Sequence, residues 1–340
     1  MTILTQKENI MRVFDGEIPE WVPVSRDASQ LCFGPSCMTG WNKRDENKKG
    51  DHAFDLFGVE YEISDPRIGP MPAPNVFKIT DITKWGDQFP VKSFPDLGAV
   101  DWDAMARKDT AEWDRENKYS RVGIGGSGSG TTYMWMATLL GHEGAMIAML
   151  TEPEAWDELL DELTKFQEEQ IRLIANHFKP DSIVISDDCA FNKSLFMSPE
   201  TYRGRIKPFH RRLAKAILDN GCTPEIHCCG KADAIADDFA EIGIRCWNPA
   251  QVFNDLEGVK ARNGNKLILE GAWDSNGAAG IRGADEETVR SAVRSAIDRC
   301  APGGGYIFSI SGMTAVYDVG EEHFGWIFDE AVRYGANFYR

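Results

Sequence analysis

Apolar and polar positions follow a regular pattern from about residue 120 to residue 334. Short apolar runs alternate with longer amphipathic stretches, and the links between them are short. The apolar runs predict strands that begin near Arg121, Ser182, Pro224, Ile244, Lys266 and Gly305. Strands that alternate with helices predict a parallel sheet, because parallel neighbours are joined by a crossover connection.

The number of strands favours a closed barrel. An amphipathic helix over residues 5–15 and an apolar strand over residues 21–24 precede the regular region. With that strand, seven strands are clear, and we expect an eighth within residues 30–115. Eight is the number of strands in a (β/α)8 TIM barrel. An open dinucleotide-binding sheet is the weaker prediction, because eight strands suit a closed barrel.

Residues 30–115 do not follow the alternating pattern. They are rich in Gly, Pro, Asp and Trp and contain only short apolar pieces. We interpret them as an N-terminal insertion that forms a lid or a pocket wall. The whole chain, residues 1–340, is then predicted to be one barrel domain, because barrels of this length are routinely a single domain.

Composition argues against several classes of function. Acidic residues outnumber basic residues by 53 to 37, and the net charge of −16 would repel nucleic acid. The sequence contains no apolar run of about 18 residues, and its N-terminus lacks the apolar segment of a signal peptide, so we expect a cytoplasmic protein without a membrane span. Eight cysteines in such a protein are more typical of free thiols or metal ligands than of disulfides.

Polar residues at the ends of strands are the candidates for chemistry, because a barrel carries its active site at the carboxyl ends of its strands. His227 and Cys229 are two positions apart on one predicted strand, so their side chains point to the same side. Imidazole and thiolate are typical zinc ligands, and a catalytic zinc site uses about three protein ligands. Cys189 ends another strand and is the predicted third ligand. The alternative is a buried histidine beside a small, buried cysteine.

Four carboxylates also fall at predicted strand ends. Asp187 and Asp188 follow one strand, and Glu270 and Asp274 lie at the end of another. We predict that catalytic carboxylates come from this set, and that Asp187 or Asp188 orients a metal ligand. Asp187 and Asp188 have an alternative role, in which they cap the next helix or accept hydrogen bonds from backbone amides.

A glycine-rich loop follows the strand that begins near Arg121. Gly126, Gly128 and Gly130 are predicted to bind a cofactor there, since such a loop can cradle a phosphate at a helix N-terminus. The loop lacks the lysine of a Walker motif. Close approach of a flat ligand or of a partner's backbone explains the glycines equally well.

Cys300 is predicted not to bind the metal, although it follows His227 and Cys229 in an H-x-C…C series. It lies between a helix predicted over residues 285–299 and the strand over 305–310, at the amino-terminal end of the barrel. A strand of about six residues rises roughly 20 Å, whereas a zinc–sulfur bond is about 2.3 Å long. Cys300 therefore cannot reach an ion held at the ends of strands.

Several segments, in this order, resemble the uroporphyrinogen decarboxylase-like superfamily. They are IPEWVPV at residues 18–24, LGHE at 140–143, FMSPE at 196–200, NPAQ at 248–251, EGAWD at 270–274 and GGGYI at 303–307. The resemblance implies a (β/α)8 barrel with its site in the barrel mouth. The decarboxylases carry an arginine-rich N-terminal segment, whereas the region after the first strand of this chain, residues 25–30, has one arginine, Arg26. The resemblance therefore favours another branch of the superfamily.

The segment around His227 and Cys229 is similar to that of the corrinoid-dependent zinc methyltransferases of the superfamily. Those enzymes take a third zinc ligand, a cysteine, just after the last strand, where this chain has Ser311. The third ligand must then come from elsewhere, or the metal is bound differently.

A second resemblance concerns the spacing of Asp161, Cys189 and Cys229, which looks similar to a zinc-ligand pattern of O-demethylase methyltransferases from acetogens. It implies Cys189 and Cys229 as zinc ligands. Asp161 has an ordinary alternative, since it lies inside a predicted helix with Lys165 four positions later.

These resemblances imply the first methyltransferase of an O-demethylase system. It would use Zn²⁺ and move a methyl group from a methoxylated aromatic to the Co(I) centre of a corrinoid (cobalamin) protein, its predicted partner. A methylcobamide:thiol methyltransferase, a metal-free decarboxylase and a non-catalytic corrinoid-binding or escort protein remain as alternatives. The sequence leaves the oligomeric state, such as a homodimer, open.

Overall fold

The structure is a computed structural model that describes residues 4–36, 48–55, 57–65, 69–125, 130–311 and 319–340. Its strands are Ser29–Cys32 (β1), His52–Phe54 (β2), Glu60–Asp65 (β3), Gly69–Pro72 (β4), Tyr119–Ile124 (β5), Ser182–Ser186 (β6), Thr223–His227 (β7), Cys246–Ala250 (β8), Ile268–Asp274 (β9) and Tyr306–Ser311 (β10). Its α-helices are Gln6–Phe14 (α1), Ser25–Ala28 (α2), Trp85–Gln88 (α3), Trp102–Asp109 (α4), Thr132–Leu140 (α5), His142–Thr151 (α6), Pro153–Phe178 (α7), Pro199–Arg205 (α8), Lys207–Asp219 (α9), Ala236–Glu241 (α10), Leu256–Asn263 (α11), Glu286–Cys300 (α12) and Glu321–Gly335 (α13).

Seven parallel strands form a curled sheet in the order β1-β5-β6-β7-β8-β9-β10. The segment before β1 reaches the opposite edge of this sheet, where Val24 forms a parallel bridge with Phe308 of β10. The backbone N–H of Phe308 donates to the carbonyl of Pro23 at 2.8 Å. Residues 21–24 thus take the eighth place, and the predicted TIM-type barrel fold is confirmed.

The outer helices cover the sheet with amphipathic faces. The longest, α7, begins at Pro153, whose fixed φ and missing N–H suit the first turn of a helix. It buries Trp156, Leu159 and Leu163 against the sheet and leaves its acidic residues outside. Within the described residues, none of the helices combines the length and apolar character needed to cross a bilayer.

The region predicted as an insertion contributes β1 to the barrel and a separate antiparallel sheet of β2, β3 and β4. An aromatic cluster joins the rest of the region to the barrel helices. The centroid of the Phe57 ring lies 4.8 Å from that of Trp135 in α5 and 5.4 Å from that of Phe166 in α7. Phe89 and Phe94 pack on the same Phe57 ring. This region is therefore fixed against α5 and α7.

An ionic cluster fills the middle of the barrel. Arg121 of β5 contacts Glu225 of β7 at 3.3 Å and Glu270 of β9 at 2.6 Å, and all three residues are buried. Ser25 donates to the other oxygen of Glu270 at 2.8 Å. Side chains from alternate strands meet here because the curled sheet turns them towards one axis.

Candidate metal centre

One acid, one histidine and one cysteine meet at the carboxyl ends of β6 and β7. A ligand atom from each of Asp188, His227 and Cys229 lies within 4.8 Å of the other two. The Nε2 atom of His227 is 3.4 Å from the Sγ atom of Cys229. The backbone N–H of Cys229 donates to Oδ1 of Asp188 at 2.7 Å, which fixes the carboxylate beside the other two groups.

The local backbone explains why these side chains converge. His227 ends β7, and Cys229 lies two positions further on the same side, as alternation predicts. Cys228 between them is fully buried in the hydrophobic core. The β6–β7 ladder aligns Ser186 with His227, which brings Asp188 level with the loop that carries Cys229.

The electrostatics of this group suit a cation. Burial, together with the charge of Asp188, raises the pKa of the Cys229 thiol well above its usual value. Burial also raises the pKa of Asp188, although His227 and the Cys229 amide partly offset this effect. A divalent ion would supply the positive charge that lets both groups ionise in this half-buried position. Nitrogen, sulfur and oxygen donors of this kind form catalytic zinc sites with an open coordination position.

A second group, Asp187, Cys189 and His210, lies next to the first and is completely buried. Asp187 accepts hydrogen bonds from the backbone amides of Tyr133 at 3.0 Å and Met134 at 2.8 Å, in the first turn of α5. It also accepts one from Nε2 of His210 at 2.8 Å. Asp187 therefore binds backbone amides at a helix start, which is the alternative that its sequence position left open.

Cys189 lies in this second group and not with His227 and Cys229. Its Sγ atom is 3.5 Å from Oδ2 of Asp187, and the Cys228 thiol, burial and Asp187 raise its pKa well above the ordinary value. These contacts favour a neutral thiol. The structure therefore gives Asp188, rather than the predicted Cys189, the third position beside His227 and Cys229.

Asp161 lies on α7, away from both groups. It forms ion pairs with Lys165, at 2.8 Å, and with Arg212 of α9. Its side chain is 39% exposed, which is typical of an ion pair on the surface of a helix. The structure thus places Asp161 in the ordinary role and not beside the zinc-ligand candidates.

The remaining predicted carboxylates occupy different depths of the barrel. The expected position of Glu270 at the end of a strand is wrong, because β9 continues to Asp274 and Glu270 lies inside the barrel, paired with Arg121. Asp274 does end the strand. Its Oδ1 accepts hydrogen bonds from the backbone amides of Asn276 and Gly277, at 3.1 and 2.9 Å.

The glycine-rich loop is described only in part, since Gly126 and Gly128 lie outside the described residues. Gly130 has a φ of +65°, and a Cβ atom there would lie 2.1 Å from Cβ of Met134. Glycine is therefore required at this position because any side chain would collide with Met134 in the first turn of α5.

The roles of two buried residues were not predicted from the sequence. His210 lies on α9 and not at the end of a strand, where catalytic residues of a barrel are expected. The sequence indicates its role only by placing a polar residue on the buried face of the helix, with Phe209 and Leu213. Arg121 was assigned only to a strand, although an arginine in a fully buried strand requires acidic partners.

Cys300 ends α12 and precedes β10, as predicted, at the amino-terminal end of the barrel. We expect Cys300→Ser to bind zinc as tightly as the wild-type protein does, with at most a modest loss of stability. Metal analysis by mass spectrometry of the purified variant checks this expectation. Loss of the metal would show that the site is not formed at the ends of β6 and β7.

A protein of known structure shares this architecture. A methyltransferase from Methanosarcina mazei superimposes with a TM-score of 0.66 at 12% sequence identity, over 98% of this chain and 99% of that chain. A β-L-arabinopyranosidase from Geobacillus stearothermophilus gives a TM-score of 0.38 at 12% identity, over 88% of this chain and 66% of that chain. No curated protein sequence matches the chain.

The sequence also matches a family model, described as "Uroporphyrinogen decarboxylase (URO-D)", over residues 54–334. This match spans most of the chain and includes β5 to β10, with both groups of candidate ligands. The chain therefore belongs to the uroporphyrinogen decarboxylase (URO-D) family.

Proposed function

We propose that this protein is a zinc-dependent methyltransferase that transfers a methyl group from a phenyl methyl ether to the Co(I) corrinoid of a partner protein. The observation that carries the proposal is the convergence of Asp188, His227 and Cys229 at the carboxyl ends of adjacent strands. These three residues would hold the ion and leave a coordination position open to the substrate. Bound zinc would supply a Lewis acid for the ether oxygen, which becomes the phenolate leaving group.

The protein residues would prepare this site in two ways. Cys229 must lose its proton when the metal binds, because its pKa is well above the usual value in the metal-free protein. Asp188 keeps a fixed orientation, since one of its oxygens accepts the hydrogen bond from the Cys229 amide. This arrangement leaves the other oxygen of Asp188 as the ligand atom.

Asp274 is the remaining predicted carboxylate that ends a strand, and we assign it to the orientation of the phenol. It ends β9 at the same end of the barrel as the metal candidates, and it is partly exposed. Asp187 and Glu270 would support the site indirectly, because their oxygens are engaged by α5 and by Arg121. Of the predicted cofactor-binding glycines, Gly130 lies just before α5, at the end of the barrel where we propose that the corrinoid protein docks.

The comparisons support the proposal at the level of fold and family. The neighbour from Methanosarcina mazei is a methyltransferase, and the family description names a decarboxylase. Decarboxylation is thus the second candidate function. It would not require the metal group of Asp188, His227 and Cys229, so metal content separates the two.

The test has two steps. Metal analysis of the purified protein should give one zinc ion per chain. The zinc protein should then transfer methyl groups from guaiacol-type ethers to a Co(I) corrinoid protein, followed by the visible spectrum of the corrinoid. Zinc-free protein that is active as a decarboxylase would refute the proposal, as would zinc protein that transfers methyl groups only from methylcobamide to thiols.

A further inference from the structure

Strand β8 contacts the candidate metal ligand His227 through one polar side chain. The β7–β8 ladder pairs His227 with Asn248, so the two residues lie side by side at the ends of their strands. The Oδ1 atom of Asn248 is 2.9 Å from Nδ1 of His227. This contact lies on the side of the imidazole ring away from Cys229, whose Sγ atom is near Nε2.

The chemistry of this contact fixes the position of a proton. A carboxamide oxygen only accepts hydrogen bonds, so with Oδ1 of Asn248 turned to the imidazole ring, Nδ1 of His227 carries the hydrogen. A neutral imidazole with hydrogen on Nδ1 has its lone pair on Nε2. That nitrogen is the atom beside Sγ of Cys229, in the group that also contains Asp188.

Asn248 is held rigidly enough for this task. Its carbonyl accepts a hydrogen bond from the backbone N–H of Cys228 at 2.8 Å, so its main chain and side chain both bind the β7 end. Gln251, further along the same segment, accepts from the N–H of Gly230 at 2.6 Å. The loop that carries Cys229 is therefore held on both sides by residues of β8 and the turn after it.

We propose that Asn248 is a positioning residue that selects the Nδ1–H tautomer of His227 and so directs the Nε2 lone pair at the metal position. The inference rests on the metal site of the proposed function. Outer partners of metal-bound histidines act in this way, and their loss typically weakens metal binding by about 10–100-fold.

The experiment uses full-length Asn248→Ala, Asn248→Asp and a matched control, Gln251→Ala, which removes a contact to the same loop but not to the histidine. The first measurement is the ¹⁵N spectrum of His227 in metal-free protein, which distinguishes the two tautomers. The second is zinc affinity, by competition with a chromophoric chelator. Circular dichroism and the unfolding midpoint verify that each variant is folded.

We expect wild-type protein, Asn248→Asp and Gln251→Ala to show the Nδ1–H tautomer, because all three keep an acceptor oxygen beside Nδ1. Asn248→Ala should show a mixture of tautomers and a zinc affinity lower by roughly 10–100-fold. A folded Asn248→Ala protein with an unchanged tautomer and unchanged affinity would overturn the inference. Wild-type protein that shows Nδ1–H but binds no zinc would instead refute the proposed metal site, since the tautomer is measured without metal.

Discussion

Replacement of Cys229 by serine, or of Asp188 by alanine, is expected to abolish tight zinc binding. Each change removes one of three ligand atoms that lie within 4.8 Å of one another. The affinity should fall by more than about 100-fold, because the loss of a direct ligand exceeds the 10–100-fold cost of losing an outer partner. Methyl transfer to the corrinoid protein should be lost with the metal.

The matched control is Cys189→Ser, in the segment that follows the neighbouring strand β6. Its thiol contacts Asp187 and not the His227–Cys229 pair, so this variant should keep its zinc. Mass spectrometry of the metal content and chelator competition report both results on the same samples. If Cys189→Ser loses the metal while Asp188→Ala retains it, the original sequence-based ligand set is right and our assignment of Asp188 is wrong.

Arg121→Met is expected to destabilise the protein by about 3–5 kcal/mol, because breaking a buried ion pair leaves an uncompensated charge. Arg121 is the cation that contacts both Glu225 and Glu270 in the described part of the barrel interior. Burial opposes its charge, but the two carboxylates outweigh that effect and raise its pKa. Burial raises the pKa of Glu225 as well, so this carboxyl gives up its proton less readily than usual.

Urea unfolding measured by circular dichroism gives the change in stability. The control is the triple variant Arg121→Met, Glu225→Gln, Glu270→Gln, which removes all three charges and should recover much of the loss. If Arg121→Met is insoluble and the triple variant is soluble, this result would also show that the uncompensated carboxylates cause the loss of stability. An unfolding midpoint equal to that of the wild type would show that the cluster contributes nothing to stability.

The sequence predicted the regular parts of the fold well, for physical reasons. The strand predicted to begin near Ser182 begins at that residue in the structure, because a buried apolar run is a strong local signal. The strand predicted at 21–24 forms only the bridge at Val24, since a helix begins at Ser25. The strand that begins near Lys266 continues past Glu270, its predicted end, because Gly271 and Ala272 have positive φ while their pairing with β10 continues to Asp274.

The site was predicted in part. Alternation correctly placed His227 and Cys229 together, and the same rule applied to residues 187–189 separates Asp188 from its two neighbours. Sequence alone could not say which of the two sides faces His227 and Cys229, because that depends on how β6 is aligned with β7. The contacts of Asn248 and His210 depend on tertiary packing and leave no periodic signal in the sequence.

The bridge between Val24 and Phe308 sets when the barrel can close during protein synthesis. The barrel closes only when β10 reaches the segment before β1, and these partners come from opposite ends of the described chain. During synthesis, Pro23 and Val24 are therefore made long before Phe308, their hydrogen-bonding partner in the folded barrel. Long-range pairings of this kind form slowly, and unpaired strand edges attract other chains. We therefore expect molecular chaperones to matter most before β10 is made, while the edge at Pro23 and Val24 is still unpaired.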